Sequence, residues 1–192
     1  MIQTILNFDT QAFLFFNHTI ANPVFDAVFV LITNGRFWII PGILFALIFI
    51  YFRRRAALVV IALALITVSA SDPVCNRIIK PQFHRLRPCD TRVDIPGGRF
   101  LLGRKTSDSF PSSHAMNMFA QAALFSLLYR RKRVWITAFA FAALIAFSRV
   151  YVGAHYPLDV AAGAVFGMLV GAGVDAAYFF VMKKWDPAVL RL

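Results

Sequence analysis

Three short segments concentrate side chains able to hold and cleave a phosphate ester. The first is Lys80-Pro-Gln-Phe-His-Arg-Leu-Arg87-Pro88. The second is Phe110-Pro111-Ser112-Ser113-His114, and the third is Ser148-Arg149-Val-Tyr-Val-Gly-Ala-His155-Tyr-Pro-Leu-Asp159. Lys80, Arg87 and Arg149 supply cations, and a planar guanidinium can grip two phosphate oxygens at once. Pro111 and the pair Ser112-Ser113 open a helix, whose free N–H groups and positive dipole end make an anion site. The two hydroxyls add donors, and His114 falls in the first turn, within reach of a leaving oxygen. His155 precedes Pro157, where a helix starts, and Asp159 four residues on can fall on the same side. A carboxylate there can hold one imidazole N–H, fix the tautomer and leave the other nitrogen free to attack.

Each piece alone also fits a plainer role. Ser112 can be a helix N-cap, and Asp159 a first-turn charge favoured by the helix dipole. Arg87-Pro88 can end a loop, and a histidine at a membrane surface can simply pack. Arg149 resists such a reading, because an arginine inside an apolar run is costly and marks function.

The elements around these segments belong to a membrane protein. Of 192 residues, 59% are hydrophobic and 15% charged, against about 45–50% and 25% in soluble domains. Apolar runs at Phe37–Phe52, Ala56–Ile79, Ser112–Tyr129, Val134–Tyr151 and Pro157–Met182 approach or reach the ~20 residues that cross a bilayer. A shorter run, Pro23–Thr33, follows Met1–Asn22, which mixes polar residues with Leu, Ile and Phe and reads as a helix lying in the interface. The expectation is an all-α bundle of about six transmembrane helices forming one domain over residues 1–192, with 80–111 as a loop carrying part of the site. No cleaved signal peptide is expected.

The net charge of +11 sits at the ends of the apolar runs, so it speaks for topology and an anionic ligand rather than nucleic acid. The basic turns Arg53–Arg55 and Arg130–Arg133 and the pair Lys183-Lys184 are expected on the cytoplasmic side. The loop Lys80–Pro111, with the three segments, then faces outward. Within it Arg92, Arg99, Arg104 and Lys105, hinged at Gly97-Gly98 and Gly103, can form a lid that adds cations for a second phosphate; the alternative is a solvated loop beside anionic headgroups. Cys89 in this loop is expected to be open to a membrane-impermeant thiol reagent, and Cys75 to lie deeper. All nine anions are Asp and no C-x-x-C pair exists, which leaves a metal centre poorly supplied, and no cofactor is expected.

The segments resemble the three signature motifs of the type-2 phosphatidic acid phosphatase family of integral membrane lipid phosphatases. Lys80 to Arg87-Pro88 matches the first and Ser148-Arg149 to His155 to Asp159 the third. Pro111-Ser112-Ser113-His114 departs from the second at Ser113, where glycine is usual. The resemblance covers about residues 72–160. It implies that His155 attacks phosphorus and becomes phosphohistidine, and that His114 protonates the leaving lipid oxygen. It also implies that Asp159 orients His155, that Lys80, Arg87, Ser112, Ser113 and Arg149 bind phosphate oxygens, and that no metal is needed. Vanadium-dependent haloperoxidases resemble the same motifs but are soluble and much larger. A small transporter or anion-binding membrane protein would also use intramembrane cations, but it does not require the His155–Asp159 pair. The expected activity is hydrolysis of a lipid phosphate or diphosphate. A polyprenyl diphosphate is favoured, with phosphatidylglycerophosphate, phosphatidic acid or a lipid A phosphate as alternatives. The expected setting is a bacterial plasma membrane, with the site on its outer face and the bilayer and a lipid substrate as partners.

Overall fold

The computed structural model describes residues 1–185, which contain helices and no strands. Helix α1 (Ile2–Leu14) ends in a wide turn over Phe15–Thr19, and α2 (Pro23–Thr33) follows. Asn22 starts α2 as its N-cap, accepting a hydrogen bond from Phe25 N at 2.9 Å, with Pro23 in the first helical position. A tight turn, Gly35–Trp38, leads into α3 (Ile39–Arg53). Helix α4 (Arg55–Pro73) continues through a wide turn at Val74–Ile79, and a long loop leads to α5 (Ser113–Tyr129), α6 (Lys132–Tyr151) and α7 (Pro157–Trp185).

Among the described residues, four stretches are long and apolar enough to cross a bilayer: Gly35–Arg53, Arg55–Gln82, Lys132–Tyr151 and Pro157–Lys183. Ile2–Thr19 and Pro23–Thr33, bent by 114°, make a fifth only if counted together. The expected six is reached only by adding α2, with 11 residues, and α5, with 17, as separate spans. Helix α5 can be short and carry Asn117 and Gln121 because it is the central helix, packed against α4, α6 and α7. Protein rather than lipid covers most of its surface, so polar side chains there are shielded from lipid; Gln121 donates to Ala64 O at 2.7 Å.

The most extensively packed helix pair is α5 with α7. Its contact rests on Gly163, Gly167 and Gly171, which repeat every four residues on one face of α7. A Cβ at these positions would stand 2.6 Å from Ser112 O, 2.2 Å from Met116 O and 2.2 Å from Ala120 O. The backbones can approach this closely only because the side chains are absent. The start of α5, with the second segment, is thereby pressed against the start of α7, with the third.

The N-terminal segment is more than an interfacial helix. Asp9, Phe13 and Asn17 recur at intervals of four, on one face, and all three are buried, whereas Ile2 and Phe8 are exposed. Asn17 receives a hydrogen bond from Arg99 N and donates to Arg99 O and Tyr151 O, each at 2.7 Å. Arg99 also pairs with Asp26, which accepts from the Tyr151 hydroxyl at 2.7 Å. The loop over residues 80–111 is thus tied to α1, α2 and the end of α6. Gly153 sits under this crossing at φ +84°, and a Cβ there would lie 2.2 Å from Arg99 O, so only glycine fits.

Candidate active site

The three sequence segments converge. Lys80 ends the helical run of α4 and is buried, its Nζ donating to Asp108 O at 3.3 Å. Arg87 is also buried; its Nε donates to Ser107 O and Ser107 Oγ, both at 3.0 Å, and its Nη1 to Ala154 O at 3.1 Å. The same Nη1 lies 2.8 Å from His155 Nε2. Arg149, near the end of α6, donates from Nη1 to Thr33 Oγ1 at 2.6 Å, and its Nε has no hydrogen-bond partner among the described residues. All three cations are held by carbonyl or hydroxyl oxygens, which orient the charge without cancelling it.

His155 is buried in the turn between α6 and α7. A guanidinium offers only donors, so Nε2 must be the acceptor toward Arg87 and the neutral ring carries its proton on Nδ1. Burial, reinforced by the Arg87 charge and opposed by Asp159, pushes the His155 pKa down to about 3. Burial also lowers the Arg87 pKa from its ordinary value. The Nδ1 to Asp159 Oδ2 distance is 3.6 Å, a long contact for a hydrogen bond, and Ser109 Oγ lies 3.5 Å from Nδ1. Asp159, fully buried, accepts from Tyr156 N at 2.9 Å, from Arg85 Nη1 at 2.8 Å and from the Ser109 hydroxyl.

Helix α5 opens at the same place. Ser112 is its N-cap, accepting from Ala115 N at 3.5 Å, and its own N–H donates to Asp159 O at 2.9 Å. The first helical bond is Met116 N to Ser112 O, so the N–H groups of Ser113 and His114 precede the ladder. The Ser113 hydroxyl, expected toward phosphate, turns the other way. It donates to Asn76 Oδ1 at 2.9 Å and lies 3.3 Å from Cys75 Sγ, both in the wide turn after α4, so only the Ser113 backbone faces the site. His114 is exposed into a cavity of about 730 Å³, lined chiefly by apolar side chains including Trp38, Phe45, Met118 and Phe141, with Thr33 among them. A second apolar cavity of about 540 Å³ shares Phe45 and continues along α5 to Tyr129. Among the described residues no three His, Cys or Asp side chains stand close enough to hold a metal ion.

The expected lid cations divide. Arg92 is paired with Asp90, which it holds down to a pKa of about 2, and Arg99 with Asp26. Arg104 donates to Asp90 O at 3.0 Å and stacks on Phe100 at 4.4 Å. Lys105 makes no side-chain hydrogen bond or ion pair among the described residues and lies within electrostatic reach of His114. Cys75 and Cys89 are free thiols, and both are buried. Cys89, 2% exposed, is therefore not the accessible thiol its place in the loop suggests, because the loop folds over it.

Sequence reasoning passed over four residues. Arg85 bridges Asp159 to Asp9 of α1, at 2.8 and 2.6 Å, and lies 4.2 Å above the Tyr156 ring. Asp9 also accepts from Leu158 N at 2.9 Å. Ser109 reaches the His155–Asp159 pair, and Thr33 holds Arg149. The signal available was that Asp9 and Thr33 are polar residues within apolar segments, where burial demands a partner.

The chain is similar to known membrane phosphatases. A family model described as the PAP2 superfamily matches residues 56–183. A lipid A 4'-phosphatase of Bacteroides thetaiotaomicron is 33% identical over 187 residues, covering 95% of this chain and 81% of that protein. An undecaprenyl-diphosphatase of Sulfolobus acidocaldarius is 35% identical over 123 residues, covering 64% and 55%. The crystal structure of a transmembrane PAP2-type phosphatidylglycerolphosphate phosphatase from Bacillus subtilis shares the fold, with a TM-score of 0.64 at 23% identity, over 96% of this chain and 89% of that one.

Proposed function

This chain belongs to the PAP2 superfamily and is an integral membrane lipid phosphatase; from that premise we propose that it works through a phosphohistidine at His155, without a metal. The observation that carries this is the neutral His155 with Nε2 turned to Arg87 at 2.8 Å, inside a ring of cations held by uncharged oxygens. A phosphate entering between Nε2 and the guanidinium exchanges that contact for contacts to its own oxygens. Arg87, Lys80, Arg149 and the N–H groups at the start of α5 then share its charge, which suits a transition state spread over three equatorial oxygens.

In the first step the P–Nε2 bond forms and the bond from phosphorus to the lipid oxygen breaks, with His114 giving that oxygen its proton. In the second, water attacks, His114 takes its proton, and the P–Nε2 bond breaks to release inorganic phosphate. His114 opens onto the apolar cavity, so the leaving oxygen and its hydrocarbon share one side.

For the substrate, similarity along 95% of the chain to a lipid A 4'-phosphatase supports a lipid A phosphate. The partial match to an undecaprenyl-diphosphatase keeps a polyprenyl diphosphate as the second reading. Both carry a further phosphate, which Lys105 and Arg104, neither of them in an ion pair among the described residues, could meet. The site faces outward, on the short-loop charge rule. The experiment is phosphate release by purified protein in detergent and EDTA from lipid A, undecaprenyl diphosphate, phosphatidylglycerophosphate and phosphatidic acid, with His155→Ala beside the wild type. Turnover in EDTA that vanadate inhibits and His155→Ala abolishes is the expected result. Dependence on added Mg²⁺, or normal turnover by His155→Ala, refutes the mechanism.

A further inference from the structure

In the reading just given, Asp159 orients His155, and the two stand 3.6 Å apart, a long approach for a hydrogen bond. Nδ1 carries the proton, since Nε2 accepts from Arg87. Facing Nδ1 are two oxygens, Ser109 Oγ at 3.5 Å and Asp159 Oδ2 at 3.6 Å. Oδ2 is already engaged twice, by Tyr156 N at 2.9 Å and by the Ser109 hydroxyl. Ser109 spends its single proton on Asp159, which leaves its lone pairs as acceptors beside Nδ1. It is fully buried, and its own N–H donates to Arg85 O at 2.6 Å. Arg85 in turn reaches the other oxygen of Asp159. The hydroxyl is therefore fixed from its backbone, its proton is committed in one direction, and its open side meets the nucleophile's ring.

We infer that Ser109 is a positioning residue that joins Asp159 to His155, in the order Nδ1–H to Oγ, then O–H to Oδ2. The inference rests on His155 being the nucleophile. No proton needs to change place in this chain during attack. The ring becomes a phosphoimidazolium that keeps its Nδ1 proton, and the positive charge it gains is felt by Asp159 through the polarised hydroxyl. Ser109 thus acts on the charged intermediate and its transition state more than on the bound substrate. Its loss should appear in kcat and not in KM.

The test is a double-mutant cycle of Ser109→Ala and Asp159→Asn, read as kcat and KM for phosphate release in detergent. Thermal midpoints confirm that each variant is folded. A hydrogen bond linked to a charged group sets the expected scale, about a 10- to 100-fold loss of kcat for Ser109→Ala with KM within about twofold. In the Ser109→Ala background, Asp159→Asn should cost far less than it does alone, because the path it interrupts is already cut. Full kcat in Ser109→Ala, or additive losses, overturns the inference and leaves Asp159 acting directly on the ring. If the alanine variant is unstable, Ser109→Thr and Ser109→Val decide, since they match in shape and differ in the hydroxyl. An active threonine variant beside an impaired valine variant supports the relay, and equal rates overturn it. Acid-quench trapping of labelled phosphohistidine separates the two levels. Label on wild type and none on His155→Ala keeps the nucleophile whatever Ser109 does, whereas no label on wild type removes the premise.

Discussion

Adding a single methyl at Gly163 should separate the two halves of the site. A Cβ at Gly163 would stand 2.6 Å from Ser112 O, where ordinary contact begins at 3.4 Å, a shortfall of 0.8 Å (3.4 minus 2.6). The obstructing atom is backbone and cannot rotate away, so α5 must move. Ser112 is the cap of α5, and its N–H holds Asp159 O at 2.9 Å, so the displacement falls on the link between the second and third segments. Misplacing reacting groups by about 1 Å costs on the order of 100-fold, and we expect Gly163→Ala to lose about that in kcat/KM. Gly167→Ala meets Met116 O at 2.2 Å, a worse clash but one turn deeper. It should cost mainly stability, about 1–3 kcal/mol of overpacking less the ~1 kcal/mol that alanine gains over glycine in a helix. Gly173 has nothing within 4 Å of its added Cβ, so Gly173→Ala should be neutral or slightly stabilising. The assay pairs thermal melting in detergent with phosphate release for all three variants. Full kcat/KM in folded Gly163→Ala, or an equal loss in Gly173→Ala, would refute the argument that this glycine face sets the geometry of the site.

Three further expectations follow from the site. The His155 pKa of about 3, against 6.5 in its ordinary state, means the folded site refuses a proton that the unfolded chain accepts. The penalty is absent above pH 6.5 and grows as pH falls from there toward 3, to about 3 kcal/mol near pH 4.5. Wild type should therefore lose more thermal stability between pH 7.5 and 4.5 than His155→Gln, and equal losses would contradict a buried neutral ring. Ser113→Gly restores the usual family residue and removes a hydroxyl that faces Asn76 and Cys75; it should cost about 1 kcal/mol of stability and leave kcat/KM within about threefold. A tenfold loss would put the hydroxyl on phosphate instead. For sidedness, native Cys89 is too buried to report, so exposed Thr106→Cys should take a membrane-impermeant maleimide in intact cells and exposed Lys132→Cys only after they are opened; the reverse pattern inverts the topology.

The sequence made some of this legible and hid the rest for physical reasons. The apolar runs located α3, α4, α6 and α7 because a bilayer imposes length and composition on any helix that crosses it. The three segments marked the residues that converge here, because phosphate chemistry requires particular side chains at particular spacings. Hydropathy treated α5 like its neighbours and could not show that protein, not lipid, surrounds it. The polar face of α1 read as interfacial, since nothing local reveals that Asp9 and Asn17 have partners 76 and 82 residues away. The Gly163, Gly167 and Gly171 repeat was visible, but its meaning depends on which backbone comes to meet it.

What distinguishes the cations in and around the site is the kind of oxygen each one meets. Arg85, Arg92 and Arg99 each meet a carboxylate. Their charge is cancelled on the spot, and their effect is to tie α1, α2 and the loop together. Lys80, Arg87 and Arg149 meet carbonyls and hydroxyls, which align the head group and leave a full positive charge unspent. Burying three such charges together is unfavourable without an anion, so the fold stores a demand that a phosphate satisfies. By the same criterion Arg104, held by carbonyls and an aromatic ring, and Lys105, which has no ion-pair partner among the described residues, retain their charge at the rim. They remain available to a further anion, such as a second phosphate on the proposed lipid, whereas Arg92 and Arg99 are already paired. Losing Lys105 should therefore weaken a doubly phosphorylated lipid more than a simple monophosphate, and equal weakening of both would place Lys105 in the cradle itself.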